Sequence, residues 1–531
     1  MQCDLLVAGG TVVDGTGADA VTADVSIKDG KVLAIGQLAE VETSTRLDAT
    51  GLLVAPGFID IHSHSDLTLI LDPRAVSSIS QGVTLEVVGN CGHGCAPISD
   101  VDLVRSNIYG CKQEHQLDWT TMAGYLERLE EGKPAVNVLS LVANGNLRLA
   151  TAGLVDRPST ATELAEMKKM LAQGLEEGAF GYSTGLEYGP ERDCPEQEIA
   201  ELCRVTRAAG GFYATHTRNI DGDPEETIDE AIRTAQAAAV PLQISHISVV
   251  SRLADDGRWA IEQALRQVDE ARRSGLDVDF DMHTRLFGTT NLSAVLPPWA
   301  LEGTKVEIGR RLGDASLRRE LKESPNIITA LARGDWSRIV IFHSKFNPDL
   351  ATRSIAEISG SRGSEPLDTI YDILRDEVED LHSTMIVAFT YNEDDVRIVF
   401  EHPRCMIGSD ATALAPDGPL AHSSFHGAYT WASWFFRYFV REKGILTVEE
   451  AVRRLSALPA ERLGLADRGV LKAGMRADVA IFDPEGFAER GTTFEPNQTA
   501  SGMVHVIVNG ELAVTKGALT GNRSGQVLRR S

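Results

Sequence analysis

Eight short apolar runs, most of them ending in a polar cluster, set the tightest limit on how this chain can fold. They read GFIDIHSH, TLEVVGNC, AVNVLSLVA, AFGYSTG, FYATHTR, PLQISHIS, LDVDFDMH and RCMIGSD. Runs of this length bounded by turn residues fit fully buried strands. Between them lie amphipathic stretches such as ATELAEMKKMLAQGLEEG and IDEAIRTAQAAA, the second ending just before Val240-Pro241. Eight buried strands alternating with helices predict an α/β fold of the (β/α)8 TIM-barrel type. The spacing is uneven. Residues 286–386 are too long for one crossover and are expected to hold an inserted helical lobe.

The two ends of the chain follow a different rhythm. Residues 4–50 and 469–514 alternate apolar and polar positions between Gly, Asp-Gly and Asn-Gly turns, the pattern of short antiparallel strands. Residues 1–55 and 466–531 are therefore expected to pair into one small β-sandwich domain. The catalytic barrel would span 56–419. Residues 420–465, with TVEEAVRRLSALPAERLGL, would add a C-terminal helical extension.

Composition narrows the class of partner. With 531 residues, 43% hydrophobic and 24% charged, the chain can fold as one large domain with satellites. A formal net charge of −25 repels phosphate backbones and anionic lipid, so no nucleic-acid or membrane partner is expected. A local cationic pocket can still admit a small anionic substrate. The N-terminus, MQCDLLVAGGTVVDGTG, lacks the features of a signal peptide, and no stretch is long and apolar enough to cross a bilayer. Seven scattered cysteines fit a reduced, cytoplasmic protein. A surface this acidic is compatible with a homo-oligomer.

Chemistry-bearing residues gather at the ends of the apolar runs. His62-Ser63-His64 closes the first; residues two apart on a strand face the same side. Cys91 closes the second, His216 lies at the end of the fifth, His246 of the sixth and Asp410 of the eighth. The C-terminal ends of barrel strands are where such folds place their chemistry. Each residue alone has a plainer reading: a histidine bonded in the core, a cysteine serving as inert packing, an aspartate capping a turn. Six at five corresponding strand ends point instead to a metal site, and imidazole, thiolate and carboxylate together suit zinc. The stretch EVVGNCGHGC is then no zinc ribbon, which needs a second ligand pair, and no redox pair, which needs closer spacing. His93 and Cys95 read as local variations beside Cys91. His115, His343, His382, His402 and His505 read as surface or structural.

The order PGFIDIHSHSD, GVTLEVVGNCG, GYSTGLEYGP, ATHTRN, ISHIS, IGSDAT, followed by LPAERLGLADRG and DVAIFDP, resembles the amidohydrolase superfamily. More narrowly it resembles the D-aminoacylase (N-acyl-D-amino-acid deacylase) branch, nearly end to end. The resemblance implies one zinc ion held tightly by Cys91, His216 and His246. His62, His64 and Asp410 would line a second, weaker metal position. A metal of this kind lowers the pKa of a bound water towards about 7. Asp410 would take the proton and pass it to the departing amine, and Tyr188 would support the carbonyl oxygen as it becomes anionic.

The chain departs from the branch where the substrate carboxylate is held. Ser248 stands two residues after His246, where the branch commonly has Lys. Asp281 remains, but His283 and Arg285 replace the aromatics of a D-x-Y-P-Y pattern, and SSFHGAYTWASWFF stands in place of P-R-x-Y-G. Ser248, His283, Arg285 and Arg218 are accordingly the candidate substrate-binding residues. Phe425, Tyr429, Trp431 and Trp434 read as helix packing, or otherwise as the lining of a pocket for a larger apolar group. The expectation is a zinc-dependent amidohydrolase acting on a linear N-acyl amino acid or related N-acyl amine, a small-molecule substrate. A cyclic amide hydrolase of imidase or hydantoinase type is the alternative. A metal-free interaction scaffold would be expected to lack ligands, and none of the six is missing.

Overall fold

The computed structural model describes the chain except for residues 1, 39, 156, 219–223, 248–256, 382, 390 and 531. The eight apolar runs form parallel strands in two sheets. The first sheet holds β1 (Phe58–Asp60), β2 (Val83–Val88) and β3 (Asn137–Ser140). The second begins with Val142–Ala143, which carries β3 onward past Leu141. It continues in order through β4 (Gly181–Gly185), β5 (Phe212–His216), β6 (Leu242–Ile244), β7 (Val278–His283) and β8 (Cys405–Gly408). Just beyond β1 and β8, Ser63 and Ala411 form a parallel bridge. The Asp410 N–H donates to the His62 carbonyl at 2.9 Å, and the Ser409 N–H donates to Asp60 Oδ1 at 2.9 Å. Buried Asp60 thus stitches the ends of β1 and β8 together. Parallel pairing puts all the C-terminal strand ends on one face.

The helices between these strands cover them by ordinary amphipathic logic. In Ala161–Glu176 the buried residues Met167, Leu171 and Leu175 recur every four positions. Thr160 and Glu163 form a capping box that satisfies its first N–H groups. Pro224–Ala238 and Gly257–Arg273 flank β6 in the same manner. The result is an α/β fold.

Strands from both termini meet in one nine-stranded sheet. Leu53–Pro56 runs antiparallel to Val479–Phe482, which joins the N-terminal strands to the C-terminal ones. Val7, Val25, Val54, Val479, Ile481 and Ile507 make its core. The tail then returns under the parallel strands, where the Leu528 N–H donates to the Val138 carbonyl at 2.7 Å.

The segment expected to be a helical lobe is not wholly helical. It holds a three-stranded antiparallel sheet, Gly288–Asn291, Ile339–His343 and Met385–Ala388, with helices packed on it around a separate core. IVIFH and MIVA are short, β-branched apolar runs, which periodicity alone cannot assign. In the 420–465 segment, Trp431, Phe435, Phe436 and Phe439 enter the main core. No helix among the described residues is long and apolar enough to cross a membrane.

Candidate metal centre and active site

Three of the candidate ligands sit where the backbone turns out of a strand in a left-handed conformation: Cys91 (φ 53°), His246 (φ 30°) and Asp410 (φ 45°). Non-glycine residues seldom adopt this region, and such strain collects at functional sites. Local contacts hold the turns. Asn90 Nδ2 donates to the carbonyls of Val87 (2.9 Å) and Ser63 (3.3 Å). Gly185 has no side chain because the Cys91 carbonyl passes where a Cβ would stand.

The turns bring the six residues to one point. Cys91 Sγ lies 3.2 Å from His62 Nε2 and 3.5 Å from His246 Nε2. His216 Nδ1 lies 2.9 Å from His246 Nε2. Asp410 Oδ1 lies 3.3 Å from His64 Nε2 and 3.6 Å from His62 Nε2. The donor atoms form three overlapping triads: His62, His64 and Cys91; Cys91, His216 and His246; His62, His246 and Asp410. Within each triad the atoms lie within 4.8 Å of one another. Converging imidazole nitrogens and a thiol, all aimed at each other, leave their lone pairs without donors unless a cation or protons lie between them. The donor chemistry fits a divalent metal ion.

Outer partners fix the ring orientations. His62 Nδ1–H donates to Asp281 Oδ1 at 3.0 Å, leaving Nε2 for the cluster. His216 Nε2–H donates to Glu187 Oε2 at 2.9 Å, leaving Nδ1 inward. Asp281 also accepts from the His246 N–H (2.8 Å) and from Gln243 Nε2 (2.8 Å). Carboxylates behind metal-binding histidines set the tautomer in this way.

The electrostatics follow from the same contacts. Burial resists charge on every group here, yet the pairings overcome it. Against burial, the Cys91 charge and Asp281 push His62 well above its usual range. Against burial, hydrogen bonds donated to Asp410 and Cys91 carry His64 up to about 9, and those donated to Cys91 and Glu187 carry His216 up to about 10. Cys91, also opposed by burial, is held well below an ordinary thiol by His62 and by bonds from His216 and His246. In the metal-free cluster the ring nitrogens of His62, His64 and His216 therefore favour protons where a metal would bind.

Tyr188 leans over the centre. Its hydroxyl is 3.4 Å from His216 Nδ1, and its ring centroid is 4.7 Å from that of His216. Burial, then the neighbouring Tyr109 and Cys91 charges, keep it protonated and hence a donor. Its loop is anchored by Glu191, which accepts from the Gly185 N–H (3.0 Å) and from Asn144 Nδ2 (2.9 Å).

The candidate substrate residues divide. Ser248 lies outside the described residues. His283 is buried, with its ring centroid 6.4 Å from that of His246, and its Nδ1 accepts from the Arg285 N–H at 3.3 Å. Burial and the Arg285 charge keep His283 neutral. Both arginines have partners within the chain. Arg285 is paired with Asp410 Oδ2 at 2.7 Å. Arg218 is paired with Glu230 at 3.2 Å and donates to the Arg192 and Cys194 carbonyls. Each of the two candidate arginines thus has a carboxylate of the same chain within reach.

Some site residues carried no clear sequence signal. His93, read as a local variation, has its ring centroid 4.9 Å from those of both Tyr188 and Tyr109, and its Nδ1–H donates to Asn107 Oδ1 at 3.1 Å. Burial and the His64 charge bring it down to about 4, so it forms a neutral wall. Tyr109, from an irregular loop, packs 4.5 Å from His64 and 5.9 Å from Phe425. Of the four aromatics read as packing, Phe425 therefore borders the site while Trp431 does not. Glu187 directly precedes Tyr188, but nothing in that stretch signals that its carboxylate turns to His216.

A family model described as the amidohydrolase family matches residues 46–295 and 312–514. The chain is 33% identical to the N-acyl-D-glutamate deacylase of Alcaligenes xylosoxydans xylosoxydans, covering 100% of this chain and 97% of that one. Among solved structures it is similar to the N-acyl-D-glutamate deacylase of Bordetella bronchiseptica complexed with zinc and a phosphonate mimic of the tetrahedral intermediate. That match has a TM-score of 0.83 and 30% identity, covering 100% of both chains. A D-aminoacylase described as having a binuclear metal centre, with one-metal activation and second-metal attenuation, matches with a TM-score of 0.81 and 29% identity over 99% of this chain and 100% of that one. Matched along most of its length and carrying a converging histidine, cysteine and aspartate cluster at its strand ends, the chain belongs to the amidohydrolase family and is a hydrolase of carbon–nitrogen bonds other than peptide bonds.

Proposed function

We propose that this protein cleaves the amide bond of an N-acyl amino acid or related N-acyl amine, with one tightly held zinc ion. The observation that carries the reading is the convergence of His62, His64, Cys91, His216, His246 and Asp410 beneath the Tyr188 hydroxyl. Cys91, His216 and His246 would hold the ion, and His62, His64 and Asp410 would line a second position. We read the two parallel sheets as one closed (β/α)8 barrel, supported by the Ser63–Ala411 bridge and by the passage of β3 from one sheet to the other. Residues 1–55 and 466–531 would form its companion β domain, with 420–465 as the helical extension.

When bound, zinc supplies Lewis acidity towards the scissile carbonyl and makes a water acidic enough to react near neutral pH. Asp410 Oδ1 faces the histidines and is placed to accept the water's proton. As the water oxygen bonds to the carbonyl carbon, the Tyr188 phenol donates to the oxygen that gains charge. Asp410 then delivers the proton to the amine nitrogen as the C–N bond breaks, leaving a carboxylic acid and an amine. The aromatic wall of His93, Tyr109 and Tyr188 limits water at the reacting carbon.

The Cys91→Ala variant tests this reading. It is expected to lose both zinc, by metal analysis, and hydrolysis of N-acyl substrates. A zinc-free Cys91→Ala protein with wild-type activity would sink it. A panel of N-acyl amines against hydantoins and imides separates the linear from the cyclic reading.

A further inference from the structure

Asp410 divides its two oxygens between opposite neighbours. Oδ1 faces His64 and His62, whereas Oδ2 accepts from Arg285 Nη2 at 2.7 Å. Arg285 is only 5% exposed, and its other contacts lock it in place. Nη2 also donates to the Asp410 carbonyl at 3.1 Å. Nη1 donates to the carbonyls of Ser409 at 2.9 Å and His426 at 2.5 Å. The chain leaves room for this guanidinium: at Gly427, φ 90°, a Cβ would run into Arg285 Nη1 and the Ser409 carbonyl. Arg285 thus grips both the side chain and the strained left-handed backbone of Asp410 (φ 45°).

A guanidinium built into a candidate metal centre changes its charge balance. Among the described residues, the acidic groups bonded directly to the cluster include Cys91, Asp281, Glu187 and Asp410, and Arg285 is a cation paired with one of them. The triad Cys91, His216 and His246 takes its one anionic ligand from Cys91, a group that Arg285 does not pair with. The triad His62, His246 and Asp410 draws its carboxylate from a group already neutralised on its other oxygen. A second divalent ion there would share one carboxylate with a fixed positive charge, in a partly buried site where like charges repel.

We propose that Arg285 is a positioning residue for Asp410 that serves as a built-in substitute for the second metal ion and so holds the centre at one ion per chain. It presents Oδ1 alone to the cluster, as a proton acceptor and not as a bridging ligand. The proposal rests on the reading that this cluster binds zinc and that Asp410 is the acid–base group.

The test compares full-length wild type, Arg285→Gln and Arg285→Lys, each stripped and then titrated with zinc alone. Bound metal is counted by mass spectrometry, affinity is read by calorimetry, and Co(II) spectra report a second coordination environment. Wild type is expected to hold one ion tightly and a second at least about 100-fold more weakly. Arg285→Gln should keep the first ion and bind the second at least about tenfold more tightly than wild type does, with added Co(II) bands. Its kcat should fall more than KM changes, as expected for a disoriented Asp410. Arg285→Lys, which keeps the charge, should remain at one ion. An Arg285→Gln protein that folds, keeps its first ion and takes the second with wild-type affinity overturns the proposal. If Arg285→Gln does not fold, wild type decides alone, because two ions bound with similar affinity overturn it equally. A wild-type chain that retains no ion at all overturns the underlying metal reading instead.

Discussion

Replacing Asp281 by Asn probes how much of the metal affinity comes from behind the ligands. Asp281 is buried at 2% exposure and accepts three hydrogen bonds. Two of them fall on Oδ1, from His62 Nδ1 at 3.0 Å and from the His246 N–H at 2.8 Å. The third falls on Oδ2, from Gln243 Nε2 at 2.8 Å. An asparagine oxygen can keep the first two but without the charge. Its Nδ2 would then face the Gln243 amide, which can turn over because Gln243 Oε1 is buried without a partner. The substitution is thus nearly silent in shape and removes one charge. Exchanging a charged acceptor for a neutral one weakens each Oδ1 bond by about 1 kcal/mol. Two such bonds amount to about 2 kcal/mol, or roughly 30-fold in affinity, within the 10- to 100-fold typical of partners behind metal ligands. Zinc affinity, read by competition with a chelator, should therefore fall by about 10- to 100-fold while the circular dichroism spectrum stays unchanged. An Asp281→Asn protein that binds zinc within threefold of wild type would refute the claim that Asp281 tunes the ligands.

Other expectations follow from the same geometry. Tyr188→Phe should lower kcat by about 100- to 1,000-fold, the usual cost of one oxyanion donor, with zinc content unchanged; a loss under threefold would remove Tyr188 from the chemistry. The metal-free chain should lose stability as pH rises from 7 to 10. His64 (about 9) and His216 (about 10) are raised above their unfolded value, so their contribution is complete below about 6.5 and disappears through those pH values. Cys91 is shifted in the opposite sense, and His62 is raised as well. Melting temperature against pH checks this, and a flat or rising curve would contradict it. Finally, Arg285 and Arg218 are spent on Asp410 and Glu230, so kcat/KM should be at least about tenfold higher for N-acyl-D-amino acids with neutral side chains than for N-acyl-D-glutamate. A preference for the glutamate compound would show that a cation reaches the substrate after all.

What could be read from the sequence was whatever repeats or stands at a fixed place relative to a repeat. The apolar runs announced the parallel strands, and the strand ends then singled out His62, His64, Cys91, His216, His246 and Asp410. Nothing in GLEYGP tells which way Glu187 points, although it is adjacent to Tyr188. Nothing in the loop around Tyr109 announces that its ring reaches His64. The antiparallel sheet inside 286–386 was hidden because IVIFH and MIVA are too short for periodicity to decide.

Arg285 shows where such reading stops. Its place after β7, in a stretch that departs from the D-aminoacylase pattern, made it look like a replacement hand for the substrate. Its actual partner, Asp410, is 125 residues further along the chain. A buried guanidinium must find acceptors, and the nearest are the carbonyls and carboxylate at the end of β8. Those groups are available because Asp410 lies in a left-handed turn and Gly427 leaves a gap beside it. Backbone conformation at two positions, neither of which shows in a hydrophobic pattern, thus gives a residue that looked like a substrate clamp a place in the support of the Asp410 carboxylate.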